Sequence, residues 1–180
     1  MLNLVAMMWG AAEATLFFIV PDVFLSAVGL ERGKRAALVA SICAAIGAAL
    51  GGAVMYTWSA DDPVSARNAV LAVPAISDAM VGAAQQAMNE DGWFPATLAG
   101  PLSRTPFKVY AVLAPHAGAR LGIFVVATIA ARLPRFLLVG LGVVLLRRWL
   151  EPRFGIKRLR LAMAVAWVIL YAVFFSVTTS

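Results

Sequence analysis

The chain has 180 residues, 62% hydrophobic and 13% charged, with 15 Lys and Arg against 9 Asp and Glu and a net charge of +6. Soluble domains are nearer half apolar and a quarter charged, so this composition excludes a soluble globular fold and predicts one membrane-embedded unit, too short for a second domain. The basic excess lies in loops flanking apolar runs and inside those runs, not on one soluble face, so no nucleic-acid partner is expected.

Residues 1–30 are apolar except for Glu13 and the Pro21-Asp22 pair. This stretch is longer than one crossing needs and too short for two at about 20 residues each. A tilted helix and a re-entrant hairpin both fit; Pro21 favours the hairpin, because proline removes a backbone donor and clashes with the preceding turn. The lack of a basic n-region and of a small-residue cleavage site argues against a removable signal peptide.

A basic loop from Glu31 to Arg35 precedes a charge-free run, 36–58, that predicts a transmembrane helix. Ala37, Ser41, Ala44, Ala48 and Gly52 form one stripe on it, with Gly47 and Gly51 alongside. Small residues at this spacing let a neighbouring helix approach closely and leave a homodimer open. Cys43, the lone cysteine, reads as a small packing residue.

Residues 61–91 turn acidic, with Asp61, Asp62, Asp78, Glu90 and Asp91 against Arg67. Ile76, Met80, Ala84 and Met88 recur every four residues, predicting a short amphipathic helix on the membrane surface after Pro74; a partly ordered linker is the alternative. In 92–116, Pro95, Pro101, Pro106, Gly100 and the cations Arg104 and Lys108 make a continuous lipid-facing helix untenable, and a second re-entrant hairpin is expected. Two transmembrane helices follow, 121–146 with Arg132, Pro134 and Arg135, and 161–177 with Trp167 and Tyr171.

Between them lie Arg147, Arg148, Arg153, Lys157, Arg158 and Arg160 against Glu151 alone, a cytoplasmic loop by the positive-inside rule. The two hairpins then enter from opposite sides. A shift of 86 residues lays Asp22-Val23-Phe24 over Lys108-Val109-Tyr110 and Ala44-Ala45 over Ala130-Ala131, a weak repeat that fits an inverted-repeat transporter. The expected fold class is an all-α integral membrane protein: two re-entrant helical hairpins of inverted orientation plus about three transmembrane helices.

Charges at bilayer depth are expensive. Each central Arg costs roughly 3 kcal/mol on insertion scales, so Arg132 and Arg135 together offset about fifteen apolar neighbours at roughly 0.4 kcal/mol each. Glu13, Asp22, Arg104, Lys108, Arg132 and Arg135 must therefore face protein, water or a ligand. Two acids against four bases leave positive charge over, which suits an anion such as a phosphate head group. The competing view is that these cations only snorkel, or pair with Glu13 and Asp22 to hold the hairpins.

The segments Ala12-Glu13-Ala14-Thr15-Leu16-Phe17-Phe18-Ile19-Val20-Pro21-Asp22, Gly47 to Tyr56, and Gly100-Pro101-Leu102-Ser103-Arg104-Thr105-Pro106-Phe107-Lys108-Val109-Tyr110 occur in order with Ala117-Gly118 and Ala131-Arg132-Leu133-Pro134-Arg135-Phe136. Together they resemble the DedA family, also called SNARE-associated or VTT-domain proteins, and in particular its YqaA-like branch, over residues 5–145. The resemblance implies two facing re-entrant helices and movement of lipids between leaflets, undecaprenyl phosphate or phospholipid, with proton-motive force involved. It puts Glu13 at the first-hairpin acid, Asp22 at a second acid after the proline, and Arg104 and Lys108 in the second-hairpin basic motif. The commoner motif has two arginines there; Lys108 offers a point charge instead of a planar fork.

The expected function is transport of an anionic lipid, as a flippase or scramblase, in a bacterial cytoplasmic membrane. Glu13 and Asp22 would couple protons, and Arg104, Lys108, Arg132 and Arg135 would bind the head group. A proton-driven small-solute exporter and a structural or assembly protein without transport are the alternatives. His116, the only histidine, has no second histidine at metal-ligand spacing and no nucleophile beside it, so neither an enzyme nor a metal or other cofactor is expected.

Overall fold

A computed structural model describes residues 1–100, 103 and 105–178, with side chains described up to residue 176. The chain is 84% helix, with no strand among the described residues. In order come α1 (Leu2–Ala14), α2 (Asp22–Asp61), α3 (Pro63–Leu71), α4 (Asp78–Asp91), α5 (Trp93–Ala99), α6 (Phe107–Leu113), α7 (Leu121–Phe154) and α8 (Ile156–Thr178). Three of them, α2, α7 and α8, are long and apolar enough to cross a membrane.

The loop expected at 31–35 is a single-residue break. Helix continues through the charged residues, and only Gly33 leaves it, at φ +78° and ψ −171°. Glycine takes this left-handed region without the Cβ penalty that other residues meet. The break divides α2 into a first arm, 22–32, and a long arm, 34–61, and it frees carbonyls at the end of the first arm. Arg147 covers one of them, donating to the Leu30 carbonyl at 2.5 Å, where a cation also complements the helix dipole.

Glycines set how the elements pack. A Cβ on Gly47 would sit 1.9 Å from the Met7 carbonyl oxygen, and one on Gly51 would sit 2.4 Å from that of Ala11. Helix α1 therefore runs parallel to the long arm with backbones in contact, as the small-residue stripe predicts. Ending beside Gly51, α1 stops roughly 27 Å of helix above Gly33 at 1.5 Å per residue, so the bend at 15–21 lies within the height of the long arm. The other stripe faces α7, which runs antiparallel: the Ser41 hydroxyl donates to the Phe136 carbonyl at 3.0 Å, and the Phe124 ring centre lies 5.6 Å from that of Tyr56. Gly140 of α7 is held between both arms of α2, against Ala37 and Ser41 on one side and Gly29 on the other.

No residue in the apolar window of α8 is buried: Met163, Trp167, Tyr171 and Phe175 form a half-buried stripe, and the other faces of the span are exposed. A long apolar helix with so much of its surface uncovered is stable in lipid. Its links to the body lie along the first arm of α2 and the bend before it: Arg160 to Glu31, Trp167 to Ser26 and Tyr171 to Val20.

Further expectations are corrected. In 61–91 an amphipathic helix is present as α4, and its buried residues Val81, Ala84 and Met88 pack against α5 and α6, so protein covers that face. The helix expected at 121–146 runs on to Phe154. The basic stretch at 147–160 is accordingly no loop: it spans the end of α7 and the start of α8, broken only at Gly155, with φ +74°. Helical boundaries extend because charged residues at a span's end continue its hydrogen-bond ladder into water.

Candidate functional site: a charged cavity between two bends

The first bend is held by side chains. The Thr15 hydroxyl donates to the Ala12 carbonyl at 2.8 Å, and the Trp9 indole N–H to the Ile19 carbonyl at 3.0 Å. The Val20 amide donates to the Tyr171 hydroxyl at 2.9 Å, and Lys108 Nζ to the Phe17 carbonyl at 2.7 Å. Irregular backbone at membrane depth needs partners of this kind. The second bend, between α5 and α6, turns on Ser103, whose hydroxyl donates to the Gly100 carbonyl at 2.8 Å and lies 3.2 Å from the Tyr110 hydroxyl. Lys108, in the first turn of buried α6, thus ties one bend to the other.

Pro134 stands inside α7 between two arginines that bind the two acids of the first bend. Arg132 is ion-paired with Glu13; both side chains are about 5% exposed (5% and 6%). The Arg132 guanidinium lies 5.1 Å from the ring centres of both Phe107 and Phe136, a cation–π contact on each. Arg135 is ion-paired with Asp22, placing both Nε, at 2.9 Å, and an Nη on the same oxygen, Oδ2. Its carboxylate partner is buried, whereas Arg135 itself is 39% exposed. Arg132 Nε and Asp22 Oδ1 are buried with no hydrogen-bond partner. Buried polar atoms are nearly always satisfied, so one free donor and one free acceptor stand out.

These groups line one cavity of about 440 Å³. Glu13, Asp22, Lys108, Arg132 and Arg135 form its charged side, with Ser103 and Thr105 beside them. Apolar lining comes from Trp167, Leu170, Tyr171 and Phe174 of α8, together with the first bend and residues 73–76. The charges are three cations against two carboxylates, one positive charge over. Arg104, expected to bind with them, lies outside the described residues.

No protein-family model, curated protein or solved structure matches this chain. The site is therefore read from its own geometry. Five of the six residues singled out from sequence converge on the cavity, but Arg132 and Arg135, expected to share one ligand, are each engaged by a different acid. Sequence reasoning missed the α8 contribution. Its only signal was Trp167 and Tyr171 four apart, two side chains with polar tips in an otherwise apolar stretch, 161–175.

Elsewhere, His116 Nε2 lies 3.0 Å from both the Ser59 hydroxyl and the Ser59 carbonyl. That hydroxyl gives its hydrogen to the Val112 carbonyl at 2.7 Å, so Nε2 carries the proton and the ring braces the end of the long arm. Among the described residues no group of three His, Cys, Asp or Glu could hold a metal ion.

Proposed function

We propose that this protein moves an anionic lipid between membrane leaflets, the cavity between the bends receiving the head group. The observation that carries the reading is a cavity lined both by five charged side chains with one net positive charge and by apolar groups, to which α8 contributes four. A lipid phosphate matches the first and its chain the second. In this reading the two bends are re-entrant hairpins of opposite entry, as the family resemblance implies; the antiparallel course of the long arm and α7, the helices that follow them, supports that inversion. The basic end faces the cytoplasm by the positive-inside rule, and a bacterial cytoplasmic membrane is the setting.

The phosphate approaches the half-exposed Arg135 and the free Nε of Arg132, with Lys108 as a point charge nearby. Protonation of Asp22 or Glu13 would release its arginine, so that proton entry and head-group binding become linked. No bond is made or broken, and the protein acts as a transporter and not an enzyme.

A second reading is favoured by a specific observation: each acid already has a cation, and Lys108 already has a carbonyl. These pairs could serve only to brace the bends, in an assembly protein without transport. Proteoliposomes carrying fluorescent lipid, probed by dithionite, separate the two. Leaflet exchange that is faster for isoprenyl phosphate than for phosphatidylcholine, and lost in Arg135→Gln, supports transport. Exchange no faster than in protein-free vesicles, by folded protein, would overturn it.

A further inference from the structure

Both acids at the basic end of the molecule are taken. The Glu31 carboxylate accepts two N–H bonds from Arg160, each 2.6 Å, and Glu151 accepts two from Arg147 at 2.8 and 3.2 Å. Around these bridges stand Arg32, Lys34 and Arg35 next to the Gly33 break, and Arg148, Arg153, Lys157 and Arg158 about the Gly155 break, all exposed. None of the seven makes an ion pair among the described residues. The remaining exposed acids, Asp61, Asp62, Asp78, Glu90 and Asp91, come at the last residue of the long arm of α2 or after it in the chain. So many like charges repel one another, and this end of the chain holds no further acid to offset them.

The chemistry of the missing counter-charge is given by what lies among the cations. Trp149 is 71% exposed and Phe154 51% exposed, and the Arg153 guanidinium lies 5.3 Å from the Trp149 ring centre. A soluble polyanion would satisfy the cations and leave both rings in water. A bilayer surface satisfies both, rings at the acyl boundary and cations at phosphate level. We propose that this end of the molecule is a binding surface for the anionic phospholipid head groups of the leaflet in which it lies. The surface is separate from the cavity and does not rest on the transport reading.

Tryptophan quenching tests it. The full chain is reconstituted in phosphatidylcholine bilayers doped with brominated phosphatidylglycerol or brominated phosphatidylcholine, and the Trp149 signal is taken as the difference between wild type and Trp149→Phe. The expected result is a preference for phosphatidylglycerol of roughly tenfold at low salt, shrinking as ionic strength rises. The combined Arg148→Gln, Arg153→Gln, Lys157→Gln and Arg158→Gln variant should lose it. The charge-conserving Arg148→Lys, Arg153→Lys and Arg158→Lys variant, and Arg67→Gln at the opposite end, should keep it. Equal quenching by the two lipids, or a preference that survives the glutamine substitutions, would overturn the proposal. So would displacement of the lipid preference by a soluble polyanion such as heparin added at equal charge.

Discussion

Replacing Glu13 with Gln removes the carboxylate from a guanidinium that has almost no access to water, since Arg132 is only 5% exposed. What remains around it are the faces of Phe107 and Phe136 at 5.1 Å. Two cation–π contacts contribute about 2 kcal/mol each in a desolvated site and are present with or without the carboxylate, whereas a buried ion pair broken on one side costs about 3–5 kcal/mol. Against a total stability of about 5–15 kcal/mol, that is a large fraction. The double variant Glu13→Gln/Arg132→Met removes both charges and keeps the apolar volume, so its loss should be within about 1.5 kcal/mol of wild type. Reversible unfolding in mixed micelles across the full mutant cycle gives the coupling energy directly, expected to exceed about 2 kcal/mol. If Glu13→Gln alone cost under about 1 kcal/mol, or if the two substitutions simply added, the pair would not be the desolvated clasp described here.

Other outcomes follow from individual contacts. Gly47→Ala places a methyl 1.9 Å from the Met7 carbonyl and should destabilise by about 1–3 kcal/mol as α1 is forced off the long arm, while Gly82→Ala, which meets open space, should stabilise by about 0.5–1 kcal/mol. Tyr171→Phe takes the acceptor from the Val20 amide, a loss of about 1–2 kcal/mol, and hydrogen exchange at that amide should quicken about 5- to 30-fold. Lys108→Met should abolish leaflet exchange by removing the excess positive charge of the cavity, and Lys108→Arg should retain part of it, measured in the same proteoliposomes.

Much of the site was legible because a charge in an apolar run has few physical explanations. Glu13, Asp22, Lys108, Arg132 and Arg135 stood out on cost alone, and all five line the cavity. The stripe from Ala37 to Gly52 was legible for a similar reason, since small residues at helical spacing have one main use, close approach. The partners were not legible. Periodicity fixes which face of a helix is apolar, not what covers it, and so the buried face of α4 was assigned to a membrane surface. Charge runs such as Glu31 to Arg35 read equally as loop or as the wet end of a helix, and only the left-handed glycines at 33 and 155 mark the breaks. The α8 contacts join residues 141 and 151 apart in sequence, a separation that no local pattern encodes.

An anionic head group between the two bends should be caught by photolabelling with an isoprenyl phosphate that carries a diazirine next to the phosphate, followed by mass-spectrometric mapping. Adducts are predicted in residues 17–22 and 103–108, suppressed by unlabelled isoprenyl phosphate and weakened in Arg135→Gln. Adducts confined to residues 147–160, with none at either bend, would contradict the account.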